Sequence, residues 1–319
     1  MTTFLTELPP GTQEKGIFSL GDLDRDEVHQ LVRRACDFQH DMGAHDRPLS
    51  GRVAGILFTK TSTRTRTAFT TAAVRLGAAP ITFGPNDLQT NTGESIADTG
   101  RILGCMLDLL VARTAGPLDE LRAISRSGDI PVVNAMAAEE HPTQGICDLA
   151  TVALCRGEVD GARIHYLGEG NNTAIALAQG IAHFSGCTLT LATPKGYGLP
   201  ADVLQSAAER AARLGTSITE VHSPDELPGE ADFVYTTRWQ TTGTTKPDAD
   251  WRERFLPFYV DDALMSRWPQ ARFLHDLPAH RGEEVAGSVL DGNRSMAWEQ
   301  ARMKLTSAMS TLEWLADRL

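Results

Sequence analysis

The stretch "VAGILFTKTSTRTRTAFTTAAV", residues 53–74, decides the fold class because its hydrophobic pattern changes within a few residues. Its first part is a short apolar run that predicts a buried strand, and its last part has the pattern of a helix. Between them, residues 62–67 are all hydroxyl or guanidinium side chains, which neither a buried strand nor a solvent-facing helix requires. The stretch therefore predicts a strand, a polar turn and a helix in succession.

Short apolar runs alternate with helical patterns along the chain, and this alternation is typical of strand–helix–strand units in parallel sheets. The alternation begins again at "RIHYLG", residues 163–168. We therefore expect an α/β fold with two doubly wound parallel-sheet domains, joined near a helix at residues 145–156. The predicted units are a first domain at 1–147, a second, Rossmann-like domain at 148–296, and an amphipathic C-terminal helix at 297–319 that returns to the first domain.

Composition and charge exclude several classes of protein. The chain has 319 residues, of which 41% are hydrophobic, and a net charge of −11. An acidic chain lacks the cationic surface that binds nucleic acids and anionic membranes. The first residues do not resemble a signal peptide, and no apolar run approaches the roughly 20 residues of a membrane span, so we expect a soluble cytoplasmic protein. The scattered cysteines predict reduced core residues, namely Cys36, Cys105, Cys147, Cys155 and Cys187.

The polar turn has the residue types of an anion site. At residues 62–65, free backbone N–H groups at a helix start, hydroxyls and Arg64 can converge on one anion. An ordinary helix N-cap is the alternative, but a cap needs one hydroxyl and no arginine. Two further strand ends carry Arg113, after "LLVA", and His141 and Gln144 of "HPTQ". Because such sheets bind ligands at the carboxyl ends of their strands, we expect these side chains to share a site.

With these motifs, the chain resembles the family of aspartate and ornithine carbamoyltransferases, and the ornithine branch more than the aspartate branch. The resemblance covers nearly the whole chain. Its motifs are "STRTR" at 62–66, "LQTNTGESIADT" at 88–99, Arg113, "HPTQ" at 141–144, "LGEGNN" at 167–172 and "HDLPAHRGEEV" at 275–285.

The resemblance implies a role for each matching residue. Carbamoyl phosphate is expected to contact Ser62, Thr63, Arg64, Thr65, Gln89, Arg113, His141, Gln144 and Arg302. Within this set, Thr65, Arg113 and His141 match residues that face the carbamoyl oxygen, and Gln144 matches the one that holds the carbamoyl nitrogen. Gln89 matches a glutamine that a neighbouring subunit donates, and the catalytic unit of the family is a trimer.

The implied chemistry suits these residue types. An amine that attacks the carbamoyl carbon creates an oxyanion, which Thr65, Arg113 and His141 can stabilise, while Arg64 stabilises the departing phosphate. Positioning and charge suffice for this reaction, so we expect no metal and no cofactor. The segment "GEGNN", residues 168–172, imitates a dinucleotide fingerprint, but it lacks the third glycine and the later acidic residue.

The pocket for the second substrate departs from the ornithine pattern. Where ornithine enzymes have "DVWVSMG", this chain has "TRWQTTG", so Thr237 replaces the aspartate that binds the α-amino group, and Thr241 and Thr242 replace serine and methionine. The "HCLP" cysteine is Asp276 here. "TRWQ" resembles the "TRxQ" of aspartate enzymes, in which arginine and glutamine hold substrate carboxylate. The candidate acceptor-binding residues are Asn172, Thr237, Arg238, Gln240, Thr241, Asp276 and Leu277.

The sequence therefore predicts an N-carbamoyltransferase that makes a ureido compound from a carboxylate-bearing amine other than ornithine. A short diamino acid such as 2,3-diaminopropionate, or a diamino unit of a specialised metabolite, fits these substitutions. Ordinary ornithine carbamoyltransferase is the alternative. Two other classes are a non-catalytic regulatory trimer that binds carbamoyl phosphate, which would not need the oxyanion donors of "HPTQ", and a dinucleotide-dependent dehydrogenase.

Overall fold

The structure is a computed structural model that describes residues 13–241 and 244–319. Thr242, one of the predicted pocket differences, lies outside the described residues, as do the first twelve residues of the predicted first domain. The described chain forms two five-stranded sheets, and every strand pair in both is parallel. The predicted fold class, two doubly wound α/β units, is confirmed.

The first sheet has the strand order β1-β5-β4-β2-β3. Its strands are β1 (Gly16–Ile17), β2 (Val53–Phe58), β3 (Ala79–Phe83), β4 (Leu109–Arg113) and β5 (Val132–Asn134). Its helices are α1 (Arg25–His40), α2 (Arg64–Leu76), α3 (Ile96–Gly104) and α4 (Leu118–Gly128). All of β4 and nearly all of β2 are buried, as expected for the apolar central strands of a covered parallel sheet, whereas β3 is an edge strand.

The second sheet has the order β10-β9-β6-β7-β8. Its strands are β6 (Arg163–Leu167), β7 (Thr188–Ala192), β8 (Ser217–Val221), β9 (Phe233–Thr236) and β10 (Arg272–His275). Its helices are α6 (Asn172–Ile181), α7 (Ala201–Ala212), α8 (Trp251–Phe255), α9 (Asp262–Met265) and α10 (Gly287–Leu290). The sequence analysis did not identify β8, an edge strand with only one fully buried residue, or the three short helices.

Two helices connect the sheets. The first, α5 (Pro142–Arg156), leads from the first sheet to the second, and the last, α11 (Ala297–Ala316), returns and packs against α1, α2 and α5. This return of the C-terminal helix was predicted. The predicted boundary at residues 147 and 148 falls inside α5, and the domain limits stay a prediction.

The cysteines depart in part from the core prediction. All five are free thiols, and Cys147 and Cys187 are buried as expected. Cys105 is exposed, so the prediction is wrong there, because this residue ends α3 on its solvent side. Cys36 and Cys155 are half-buried. Within residues 13–241 and 244–319, every helix is too short or too polar to cross a bilayer.

Candidate active site

The carboxyl ends of strands from both sheets face one cleft with a volume of about 350 Å³. The first sheet contributes the segments after β2, β4 and β5, and the second contributes those after β6, β9 and β10. Ligands of parallel sheets bind at this edge, where loops and helix N-termini converge. The predicted site residues that line the cleft are Ser62, Thr63, Arg64, Thr65, Arg113, His141, Gln144, Asn172, Thr237, Arg238, Thr241, Asp276 and Leu277.

The polar turn is built as an anion site. The helix α2 begins at Arg64, and the Thr63 side chain that precedes it makes no capping hydrogen bond. The first-turn N–H groups of the helix and the hydroxyls of Ser62 and Thr63 are therefore available to a ligand. Burial lowers the pKa of the Arg64 guanidinium, and the nearby Asp276 carboxylate opposes this shift. Arg64 stays charged at neutral pH and can bind an anion.

Arg113, the last residue of β4, lies beside His141, the N-cap of α5 in the segment that follows β5. The Arg113 Nη1 atom is 3.5 Å from the Nε2 atom of His141, and both side chains are buried. Burial lowers the Arg113 pKa to about 10, so the guanidinium stays protonated, and its Nε–H is buried without a partner in the described structure. Burial lowers the pKa of His141 well below its usual value, and the positive charges of Arg113 and Lys304 lower it further. The imidazole is therefore neutral.

His141 has a second contact, with Thr143. The Thr143 hydroxyl lies 3.2 Å from His141 Nδ1 and can donate to it or accept from it. When the hydroxyl donates, the imidazole carries its proton on Nε2 and can act as an N–H donor in the cleft beside Arg113. Such donors stabilise negative charge on a carbonyl oxygen.

Gln144 belongs to a buried network between the two sheets. Its Nε2 atom donates to Asp148 over 2.6 Å, and its Oε1 atom accepts a hydrogen bond from Lys304. The Asp148 carboxylate also accepts from Gln300 Nε2 over 2.7 Å and from Tyr235 OH over 2.8 Å. The amide of Gln144 is therefore held at both ends, with its oxygen on the side of the cleft.

The wall formed by the second sheet contains a chain of neutral hydrogen bonds. Asn171, the N-cap of α6, uses its Oδ1 to accept two backbone N–H groups of that helix. Its Nδ2 donates to the hydroxyls of Thr237 and Thr241, each over 3.1 Å. Thr237 is almost fully buried and also lies 3.2 Å from the Tyr166 hydroxyl. No charged side chain occupies position 237, the place of the aspartate in the ornithine pattern.

Charged groups border this neutral wall. Arg238 lines the cleft, and its Nε–H is buried and lacks a partner within the described ranges. Asp276 Oδ2 accepts from the Thr173 hydroxyl over 3.2 Å. Its Oδ1 lies 3.5 Å from His275 Nδ1, but that nitrogen already accepts the Leu277 N–H, so it has no proton to donate to Asp276. Asp276 therefore keeps one carboxylate oxygen available at the cleft.

Three predicted residues do not line the cleft of this chain. Gln89 lies in an exposed 3₁₀ turn at Gln89–Thr92, and Gln240 donates to the carbonyl oxygen of Thr244 instead. Arg302 is exposed and pairs with Glu299, one turn back on α11. The side chain of α11 that reaches the cleft is Lys304, which the sequence analysis did not select.

Other lining residues were also missed. They are Thr61, Met136, Asn171, Thr173, Pro278 and Lys304. Asn171 could have been found as the helix cap within "GEGNN". Met136 and Leu277 have positive φ angles of 138° and 55°, and non-glycine residues in such conformations concentrate at functional sites. Those angles leave no signal in the sequence.

The lining residues make the cleft cationic although the chain is acidic. Arg64, Arg113, Arg238 and Lys304 line it, whereas Asp276 is the one carboxylate among its described lining residues. Such a cleft attracts anionic ligands and increases their local concentration.

The second glycine of "GEGNN", Gly170, has a structural explanation. A Cβ atom at Gly170 would lie 2.4 Å from the carbonyl carbon of Gly198, so the close approach of two backbones requires glycine there. One group of potential metal ligands, His280, Glu283 and Glu284, lies outside the cleft. Arg252 pairs with Glu283 and His275 contacts Glu284, so these carboxylates already have partners.

Comparison with known proteins agrees with the fold and the cleft. The model "Aspartate/ornithine carbamoyltransferase, carbamoyl-P binding domain" matches residues 15–153, and the corresponding "Asp/Orn binding domain" matches residues 160–315. The ornithine carbamoyltransferase of Anoxybacillus flavithermus is 35% identical over 93% of this chain and 95% of its own length. That of Acidothermus cellulolyticus is 37% identical over 93% of this chain and 95% of its length.

Solved structures give the same result. The ornithine carbamoyltransferase from Gloeobacter violaceus superposes with a TM-score of 0.84 at 33% identity, covering 95% of this chain and 98% of the other. The enzyme from Pyrococcus furiosus has a TM-score of 0.87 at 32% identity, with 94% and 96% covered. The fold and the cleft thus define a carbamoyltransferase, an enzyme that transfers a carbamoyl group. The chain belongs to the aspartate/ornithine carbamoyltransferase family, as the sequence motifs predicted.

Proposed function

We propose that the protein transfers the carbamoyl group of carbamoyl phosphate to an amine of a carboxylate-bearing acceptor other than ornithine. The observation that supports this acceptor class is the neutral, almost fully buried Thr237 beside the cationic Arg238. A carboxylate at position 237 would suit an ammonium group, whereas a hydroxyl and a guanidinium suit a carboxylate.

The donor half of the cleft supports the reaction. The turn at residues 62–65 and Arg64 hold the phosphate, and the Thr65 hydroxyl, Arg113 and His141 surround the carbamoyl oxygen. The neutral amine attacks the carbamoyl carbon, the new C–N bond forms, and the C–O bond to phosphate breaks with its electron pair leaving on phosphate. The amine loses one proton, which the departing phosphate accepts. Each preorganised donor to the oxyanion contributes roughly 3 kcal/mol to the barrier reduction.

The acceptor half supports a diamino acid. Arg238 binds the acceptor carboxylate, and the available Asp276 oxygen accepts a hydrogen bond from a second, protonated amine. This arrangement suits a short diamino acid such as 2,3-diaminopropionate or a diamino unit in specialised metabolism. Of the acceptor residues expected from the sequence, Gln240 lacks this support, because it lies outside the cleft lining.

Ornithine is the second candidate. The relatives named above are ornithine carbamoyltransferases, so by name the comparisons favour ornithine over the acceptor that we propose. A purely regulatory trimer is less well supported, because binding alone does not require the oxyanion donors Arg113 and His141.

We further propose that the enzyme works as a trimer in which Gln89 completes a neighbour's site. Gln89 follows the edge strand β3 and is not among the residues that line this chain's own cleft. Exposed apolar side chains lie on β3 and on the helices before and after it, at Val74, Ile81 and Ile102. Their positions on three neighbouring elements close to Gln89 in the sequence support an interaction surface there. We also propose that the chain has two domains, at residues 1–147 and 148–296, and that the helix at 297–319 returns to the first domain.

The test is a panel of amines incubated with the enzyme and carbamoyl phosphate, with mass detection of each carbamoylated product. The panel contains ornithine, lysine, 2,4-diaminobutyrate, 2,3-diaminopropionate and aspartate. We expect a carboxylate-bearing diamine shorter than ornithine to have the highest kcat/KM. Highest efficiency with ornithine assigns the second candidate, and saturable carbamoyl phosphate binding without transfer to any amine favours the regulatory alternative.

A further inference from the structure

Asp148 is a buried carboxylate to which the proposed reaction gives no role. It lies one turn after Gln144 on α5 and is fully buried. Its oxygens accept three hydrogen bonds of 2.6–2.8 Å, from Gln144, Gln300 and Tyr235. These donors come from α5, α11 and β9, so the carboxylate joins three elements at the meeting of the two sheets. Burying a carboxylate costs free energy unless its oxygens are hydrogen-bonded or paired with a charge.

The carboxylate decides which way the Gln144 amide faces. An amide has a donor end and an acceptor end, and a side-chain amide can turn by half a revolution to exchange them. The Oδ1 atom of Asp148 accepts hydrogen bonds from the NH2 groups of both Gln144 and Gln300, so the NH2 group of Gln144 faces Asp148. The Oε1 atom is left on the cleft side, where it accepts from Lys304.

We propose that Asp148 is a positioning residue, which holds the Gln144 amide with its oxygen toward the cleft so that this oxygen accepts a hydrogen bond from the carbamoyl nitrogen. The inference rests on the proposed function, because it assigns the ligand group that Gln144 meets. With the opposite orientation, the NH2 group of Gln144 would face the NH2 group of carbamoyl phosphate, and the contact would be repulsive.

A second branch of the network strengthens the positioning role. Gln300 donates to Asp148, and its Oε1 accepts the backbone N–H of His275 over 2.9 Å. His275 ends β10 and directly precedes Asp276 and Leu277, which line the cleft. The same carboxylate therefore connects Gln144 with the backbone that carries the loop on the opposite wall.

The test is a double-mutant cycle on carbamoyl phosphate affinity, measured by calorimetry with the full-length protein. We expect Asp148→Asn and Gln144→Ala each to raise the Kd about tenfold, since each removes one oriented hydrogen bond. If Asp148 acts through Gln144, the Kd of the double variant for carbamoyl phosphate is about the same as the higher of the two single-variant Kd values. A side chain with only a structural role gives additive losses, about a hundredfold, and that result overturns the proposal.

Thr151→Val is the matched control. Thr151 is buried on the same helix, and its hydroxyl donates to the Cys147 carbonyl oxygen over 2.7 Å, its one hydrogen bond within the described part of the chain. This variant removes a buried hydrogen bond without contacting Gln144, so its Kd should stay at the wild-type value. A tenfold loss in Thr151→Val attributes the effect to general loosening of α5 and overturns the proposal.

Folding and function are checked separately. Thermal unfolding tests whether Asp148→Asn folds, and Asp148→Ser replaces it in the cycle if it does not. A crystal structure of the wild-type complex with carbamoyl phosphate supplies an independent reading, and a Gln144 amide turned away from Asp148 contradicts the proposal. Absence of carbamoyl phosphate binding by wild-type protein refutes the proposed function itself, whereas binding with additive losses refutes only the role of Asp148.

Discussion

A carboxylate at position 237 should give the enzyme activity with ornithine. Thr237 is 1% exposed, and its hydroxyl lies 3.2 Å from Tyr166 OH and 3.1 Å from Asn171 Nδ2. In Thr237→Asp, the Asn171 amide can donate to the new carboxylate, which reduces the cost of burying it, whereas the Tyr166 hydroxyl already donates to the Glu169 carbonyl oxygen over 2.7 Å. A remaining carboxylate oxygen then faces the acceptor side of the cleft and can bind the α-ammonium of ornithine.

The size of the effect follows from the buried position. A hydrogen bond to a charged group contributes about 1.5 to 3 kcal/mol, and the higher part of this range applies where water is excluded. About 2 to 3 kcal/mol corresponds to a gain of roughly thirtyfold to 150-fold in kcat/KM for ornithine. The same substitution should lower kcat/KM for a shorter diamino acid, because the new charge disturbs the carboxylate that Arg238 holds.

The assay is steady-state kinetics with ornithine and with the best acceptor of the panel, at saturating carbamoyl phosphate. Thr237→Asn is the control, because it has the shape of aspartate without the charge and should give no gain. Melting temperatures of both variants exclude unfolding as a cause of any loss. An unchanged kcat/KM for ornithine in Thr237→Asp, or an equal gain in Thr237→Asn, would refute the reasoning about charge at this position.

Three further predictions concern binding, assembly and pH. Arg64→Ala should weaken carbamoyl phosphate binding about a hundredfold in calorimetry with unchanged melting behaviour, and unaltered affinity would remove Arg64 from the phosphate site. Inactive Arg113→Ala and Gln89→Ala chains should regain activity when mixed and reassembled, because some interfaces then hold both intact residues; a strictly monomeric active enzyme contradicts this. Burial raises the pKa of Glu140 from 4.5 to about 7, although its carboxylate accepts the Leu20 N–H over 2.9 Å. The folded state therefore loses stability as the pH rises from about 4.5 to 7, because Glu140 ionises more readily in the unfolded chain. Over that range, the free energy of unfolding of Glu140→Gln, measured in urea, should rise by up to about 3 kcal/mol relative to that of the wild type. Parallel stability curves would contradict the pKa shift.

The sequence by itself determined the elements whose signals are local. The apolar runs of β2 and β4, the turn at residues 62–65 and the "HPTQ" segment are each read from neighbouring residues, and the structure has them at the expected positions. Parallel strand order then brings their carboxyl ends together, so a shared cleft followed without knowledge of any long-range contact.

The tertiary structure decided which side chains of the long helix and the loops reach that cleft. Arg302 and Lys304 are two residues apart on α11, and about 200° of rotation separates them, so they point to nearly opposite sides of the helix. Packing of α11 on α1, α2 and α5 selects the orientation in which Lys304 reaches Gln144 and Arg302 faces solvent. The positioning role proposed for Asp148 could not be predicted from the sequence either, because it depends on contacts that only the fold creates. Its spacing from Gln144 is visible in the sequence, but Tyr235 and Gln300, 87 and 152 residues away, meet it only because the chain folds back across both sheets.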